Sequence, residues 1–215
     1  MIAVIDYRAG NLTSVVKALR HLGAEVTVTD DPAVVLAAER IVLPGVGHFS
    51  ATRRLDETGI TEASREAIRR GVPFLGICVG MQWLLEGSEE APEQPGLGYF
   101  TGTCQRFPEG SEKVPHVGWD HIITRTAPTS ARLFSGIEQQ SCVYFTHSYY
   151  APTANFRRGA DPMHPVSGTA AVTRYIRSFA AALEHENVFG VQFHPEKSGE
   201  VGLQVLRNFL EWKPC

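Results

Sequence analysis

The stretch "FLGICVGMQ", residues 74–82, sets a cysteine between two glycines. Cys78 ends a short apolar run of strand character (72–77), and a helical pattern (79–87) begins directly after it. Gly-x-Cys-x-Gly at a strand-to-helix junction is the thiol form of the nucleophile elbow, a sharp turn that lifts a nucleophile above the edge of a sheet. Strand and helix pass close together in such a turn, and Gly76 and Gly80 lack the Cβ atoms that would collide there. A helix N-terminus also offers free N–H groups and the positive end of a dipole, both of which favour thiolate over thiol. A lone cysteine is as readily a small core residue, and on this stretch alone the two readings balance. Cys104, Cys142 and Cys215 have no comparable setting and read as ordinary residues.

A thiol nucleophile needs a base, and the base needs an orienting group. "GVQFHPEKS" (190–198) supplies both types. The apolar run 188–193 reads as a strand with His194 at its end, and Pro195 disfavours helical geometry for His194. In an extended segment, residues i and i+2 point to the same side, so Glu196 can hold the imidazole while His194 faces Cys78. Alone, a His–Glu pair is commonly an idle surface feature. Acyl chemistry further needs donors for an oxyanion. "LPGVGHF" (43–49) ends another strand, and Gly45 and Gly47 can present bare N–H groups, although a plain Gly-rich turn has the same composition. Gln82 stands one helical turn after Cys78, on the same face.

These segments need a scaffold, and the first half of the chain has the rhythm of one. "IAVIDY" (2–7), "AEVTVTD" (24–30), "RIVLPG" (40–45) and "VPFLGI" (72–77) read as strands. Between them, Leu12, Val15, Val16, Leu19 and Leu22 recur at helical spacing, and residues 49–70 carry a charged helical pattern. That alternation predicts a parallel sheet covered by helices on both faces. Beyond residue 100, "HVGWDHIIT", "CVYFTHSYYA", "GTAAVTR" and "FAAALEHENVFGVQF" read as successive strands in antiparallel or mixed pairing, and residues 199–213 as a closing amphipathic helix. Segments 86–98 and 151–167, rich in Pro, Gly and charge, read as surface loops.

The 215 residues are read as one domain, 1–215. A net charge of −3 without a basic run points away from nucleic acid. No apolar run reaches membrane-spanning length, and no basic-then-apolar leader opens the chain. The four cysteines lie far apart without C-x-x-C spacing. A disulfide framework or zinc site is therefore not expected, and a reducing, cytoplasmic setting is.

Taken together, "PGVG", "GICVGMQ" and "FGVQFHPEKS" resemble the class I glutamine amidotransferases, with their Cys-His-Glu triad. Within that family the chain is most similar to the glutaminase subunits of imidazole glycerol phosphate synthases. "DYRAGNLTSV" (6–15), "KVPHVGWD" (113–120), "YFTHSYY" (144–150) and "HPEKSGEVGLQVLRNFL" (194–210) carry that narrower resemblance, which spans nearly the whole chain. It implies an α/β three-layer sandwich with a central, mostly parallel sheet flanked by helices. It implies that Cys78 attacks the side-chain amide of glutamine, activated by His194, which Glu196 orients. The oxyanion donors implied are the N–H groups of Val46 and Val79, with Gly45 free to flip its peptide. Gly47, Gln82, His147, Ser148 and Tyr149 match positions that cradle the glutamine.

The resemblance also implies a separate (β/α)8-barrel cyclase as partner, receiving the ammonia, with Lys113, His116 and Trp119 near the interface; a structural strand with one aromatic anchor explains the same residues. No metal or cofactor is implied. Arg8 stands where such subunits often carry glycine, and Asp120 where asparagine is usual. Amidotransferases of other pathways (anthranilate, aminodeoxychorismate, GMP, pyridoxal phosphate), a cysteine peptidase, and a regulatory protein that keeps only the fold are the rival readings.

Overall fold

The computed structural model describes residues 1–9, 12–110, 112–125, 132–153 and 168–213. Cys215 and most of the expected loop 151–167 lie outside them, as do Gly10 and Asn11. Elements of the first half are β1 (Ile2–Ile5), α1 (Leu12–His21), β2 (Val26–Thr29), α2 (Pro32–Ala37), β3 (Arg40–Gly45), α3 (Arg53–Glu57), α4 (Ile60–Arg69), β4 (Phe74–Cys78) and α5 (Val79–Trp83). Then come β5 (Gly87–Ser88), β6 (Thr103–Arg106), β7 (His116–His121), β8 (Ile123–Thr124), β9 (Cys142–His147) and β10 (Tyr149–Tyr150). The last are β11 (Thr169–Arg174), β12 (Ser178–His185), β13 (Val188–Val191) and α6 (Gly199–Glu211).

An eight-stranded sheet in the order β2-β1-β3-β4-β13-β12-β11-β8 forms the centre. From β2 to β13 the pairings are parallel, and from β13 outward they are antiparallel. Every residue of β1, β4 and β13 is buried, as expected of strands covered on both faces. The order 2-1-3 reverses the direction of travel between successive crossovers. With right-handed connections, α1 therefore lies on one face and α2 with α4 on the other. This is the α/β layered architecture expected from the sequence.

Four expectations change in detail. The helical pattern 49–70 is broken into a 3₁₀ turn (Phe49–Thr52), α3 and α4, with Gly59 at φ +77° between the last two. The helix expected over 79–87 stops at Trp83. Its carbonyls at 83, 84 and 85 are taken by the N–H groups of Leu97, Tyr99 and Gly98. The segment 86–98 is consequently no simple surface loop: Ala91, Gln94 and Leu97 are buried in it. Its carboxylates anchor other loops, Glu86 accepting from Gly102 N–H, Glu89 from Arg106 N–H and Glu90 from Phe49 N–H. Finally, "HVGWDHIIT" and "CVYFTHSYYA" are each divided between sheets. β7 and β9 pair in a separate two-stranded ribbon, β8 joins the main sheet, and β10 pairs with β6.

Strand and helix pass very close together at the elbow. A Cβ on Gly80 would lie 1.9 Å from the Leu43 carbonyl oxygen, and one on Gly76 would lie 2.4 Å from the Gly80 carbonyl oxygen. Both obstacles are backbone and cannot swing away. Gly80→Ala is therefore expected to destabilise the chain by about 3 kcal/mol, the upper end for overpacking. Gly110→Ala, where a Cβ meets nothing within 4 Å, is expected to be near neutral. Chemical denaturation of the two variants checks the contrast, and equal stabilities would contradict the close-approach account.

Candidate functional site

The site lies at the carboxyl ends of β3, β4 and β13, where open parallel sheets present their ligand crevices. Gly45 and Cys78 are register partners on adjacent strands, so the "PGVG" and "GICVG" segments meet side by side. Cys78 has φ +55° and ψ −108°, a backbone region that residues other than glycine rarely occupy. That is the strained turn the two glycines foretold. It puts Cys78 ahead of the first residue of α5, so the Val79 N–H has no partner within the helix. With only five residues, α5 supplies those free N–H groups rather than a long dipole.

The two glycines of "PGVG" serve different needs. Gly47, at φ +100°, uses glycine's conformational freedom. Gly45 does not; its requirement is space, because a Cβ there would lie 2.1 Å from the Tyr7 hydroxyl and 2.9 Å from Val79 Cβ.

His194 reaches the site on an extended residue (φ −99°, ψ 98°) directly before Pro195. The pairing with Glu196 forms, with His194 Nδ1 2.9 Å from Glu196 Oε1, but by another route than expected. Residues Pro195–Lys197 make a 3₁₀ turn rather than an extended run. The turn is pinned from two sides. His194 N–H donates to the Tyr144 carbonyl and the Ser198 hydroxyl to the His194 carbonyl, while Ser198 Oγ accepts from Tyr144 N–H. Behind it, Gly202 of α6 passes so close that a Cβ would stand 2.0 Å from the Pro195 carbonyl oxygen.

Both side chains are nearly sealed, 1% and 2% exposed. Burial alone would lower the His194 pKa. Hydrogen bonding to Cys78 and Glu196, with their negative charge, outweighs it and pushes the imidazole up to about 10. Nε2 of His194 has no partner within strict hydrogen-bond geometry. Catalytic hydrogen bonds are commonly long or poorly aligned until substrate is bound.

A cleft of about 240 Å³ opens in front of Cys78, lined also by Val46, Gly47, Val79, Gln82, His147, Ser148 and Tyr149. This is small for a ligand cleft and suits one amino acid. Gln82 donates to the Tyr149 carbonyl at 3.0 Å. His147 Nδ1 donates to the same carbonyl at 2.8 Å. Burial holds the His147 pKa down to about 3, so the ring is neutral, and its unpartnered Nε2 is an acceptor. Glu90, Pro115 and Thr146 also line the cleft and were not foreseen. Pro115 and Thr146 lie within the stretches 113–120 and 144–150 that carry the narrower resemblance, whereas nothing in the local pattern of Glu90 distinguishes it.

The three residues expected on a partner surface separate. Lys113 is exposed, and Trp119 is 58% exposed with Val117 on the same side of β7. His116 points inward instead, 3% exposed and stacked between Tyr175 at 4.1 Å and Phe145 at 5.0 Å. Alternation along β7 explains the difference. Arg8 has φ +62°, the region where a glycine is most at ease. Asp120 Oδ2 lies 3.6 Å from His116 Nε2. Among the described residues, no cluster of His, Cys, Asp and Glu could hold a metal ion, and no helix is long and apolar enough to cross a membrane.

Comparison with known proteins agrees with this geometry. The family model described as "Glutamine amidotransferase class-I" matches residues 3–212. The Imidazole glycerol phosphate synthase subunit HisH of Moorella thermoacetica is 46% identical, with 98% of this chain and 94% of that protein covered. The protein of the same name from Chlorobium luteolum is 43% identical, covering 98% and 100%. Among solved structures, a glutamine amidotransferase superposes with a TM-score of 0.71 at 20% identity, covering 98% of both chains. PurLQS from Thermotoga maritima gives 0.68 at 19%, covering 97% and 96%. At such identities these two speak to the fold alone.

The His194–Glu196 pair generates a prediction with a definite sign. A folded-state value raised from 6.5 to about 10 means that its stabilisation is complete below about pH 6.5 and is lost as pH rises through 10. Glu196→Gln removes one of the charges that raise it. The His194 imidazole midpoint, followed by NMR, is expected to fall by about one to three pH units. An unmoved midpoint would contradict the orienting role of Glu196.

Proposed function

This chain belongs to the class-I glutamine amidotransferase family, and on that premise we propose that it is the glutaminase subunit of an imidazole glycerol phosphate synthase. The reading rests on one observation above the others: a thiol held in an elbow, with a buried His–Glu pair behind it, beside an amino-acid-sized cleft. The 42–46% identity, over nearly the whole chain, to proteins of that name supports the pathway.

Residues 1–215 then act as one amidotransferase domain. The Cys78 thiolate adds to the glutamine amide carbon, and the oxyanion is met by the N–H groups of Val46 and Val79. The intermediate collapses to a γ-glutamyl thioester as the His194 imidazolium protonates the departing ammonia. Water then attacks the thioester, giving its proton to His194, and glutamate leaves with the thiolate restored. Gly47, Gln82, His147, Ser148 and Tyr149 cradle the glutamine, and the Glu90 carboxylate at the cleft suits its ammonium group. Gly45 leaves room for its peptide to turn against Tyr7.

The ammonia passes to a (β/α)8-barrel cyclase in the cytoplasm, where phosphoribulosyl-formimino carboxamide ribonucleotide becomes imidazole glycerol phosphate and an aminoimidazole carboxamide ribotide. Lys113 and the apolar Val117–Trp119 face are the surface offered to that partner, and His116 supports the strand from behind.

Glutamate release by the purified chain, alone and then with a cyclase partner and its ribonucleotide, is the test. The rate is expected to be low alone and to rise about 5–150-fold on addition, the range of ordinary coupling energies. Absence of glutamate under every condition would overturn the reading. Cys78→Ala is expected to lose glutamine-dependent synthesis and to keep synthesis from ammonium salts. Trp119→Lys is expected to weaken cyclase binding by about 30-fold or more, as for a central aromatic anchor. Calorimetric titration measures it, and unchanged affinity would remove Trp119 from the interface.

A further inference from the structure

Gln192 stands two residues before His194 and is completely buried. Its side chain joins two residues already described. Gln82 Nε2 is 3.1 Å from Gln192 Oε1, and Gln192 Nε2 is 3.6 Å from Cys78 Sγ. The orientation of both amides follows from one backbone group. The Tyr149 carbonyl can only accept, so the Gln82 atom 3.0 Å from it is the amide nitrogen. That nitrogen spends its second hydrogen on Gln192, so the Gln192 atom facing it is the oxygen. The nitrogen of Gln192 is then left facing the sulfur, as a donor.

We propose that Gln192 is a catalytic residue of the glutaminase site, donating an N–H···S hydrogen bond that stabilises the Cys78 thiolate and aims it at the cleft. The proposal deepens the glutaminase reading and rests on it. A neutral amide suits this place. A buried acceptor there would oppose the thiolate, and a cation would compete with His194 for it. The bond survives every protonation state of the pair, whereas the Thr146 carbonyl, 4.0 Å from Sγ, can engage only the thiol form. A donor to an ionised acceptor is stronger than one to a neutral acceptor, so the bond favours the anion. The Gln82 anchor also links the sulfur to the wall of the glutamine cleft, since the same amide nitrogen binds the Tyr149 carbonyl. The other groups acting on the sulfur or on the cleft before it are His194 with Glu196, Tyr7, Cys104, His147 and Glu90. None of them makes a hydrogen bond to Sγ as a donor: His194 Nε2 has no partner within strict geometry, and His194 must give its proton away during turnover.

Alkylation of Cys78 by iodoacetamide, across pH, reads the thiolate directly and needs no glutamine turnover. Peptide mapping isolates Cys78 from the other cysteines. Gln192→Glu keeps the shape and replaces the donor by an acceptor; Gln192→Met removes the amide and keeps the length. The acid limb of the alkylation profile is expected to move up by about one pH unit in both. Below the limb, reaction is then about tenfold slower. Retention of the wild-type limb in either folded variant overturns the proposal. Should Gln192→Glu fail to fold, Gln192→Met decides alone, with circular dichroism as the check on its fold. Glutaminase activity is measured separately. A chain without that activity but with the displaced limb would refute the glutaminase reading and leave the Gln192–sulfur bond standing.

Discussion

Cys78 is held at φ +55°, and the rest of the site depends on that one backbone conformation. A non-glycine residue in such a region costs about 1–3 kcal/mol and persists only where its surroundings overdetermine it. Here they do. β4 is fixed by parallel neighbours on both sides, and α5 starts immediately after the cysteine, with Gly80 pressed against the Leu43 carbonyl. Relaxing the cysteine would require moving α5 off the sheet. The same crossing gives the Val79 N–H its free position and brings the "PGVG" segment alongside.

Around this fixed sulfur the fold assembles partners from distant parts of the chain. His194 and Gln192 arrive together from one strand end, two residues apart. Glu196 is buried behind the imidazole and raises its proton affinity, so the resting imidazole is held in its protonated form. That state is armed to protonate a leaving amine. β9 contributes twice: Tyr144 pins the His194 turn, and Thr146 and His147 line the cleft. The neutral His147 ring shares the Tyr149 carbonyl with Gln82, so the cleft wall and the sulfur belong to one hydrogen-bond network.

Much of this was legible in the residues. Gly76 and Gly80 pointed to a close strand–helix passage at Cys78, although that stretch alone left a core cysteine equally open, and the α/β alternation announced the sheet. Three things were not legible. The early end of α5 depends on residues 97–100 taking the carbonyls of residues 83–85, a contact that helical periodicity does not encode. The inward turn of His116 depends on how β7 pairs with β9, which decides the face each residue shows. Gln192 carries a signal in its period-two spacing with His194. Glu90 had none, since only tertiary folding carries it to the cleft.

The central claim is that Cys78 forms the covalent bond to substrate. Turnover of glutamine in the presence of the cyclase, quenched in acid and mapped by peptide mass spectrometry, tests it most directly. The account predicts a γ-glutamyl adduct on the peptide that carries Cys78, absent from Cys78→Ala. Glutamate formation with the adduct on another residue, or undiminished in Cys78→Ala, would contradict it.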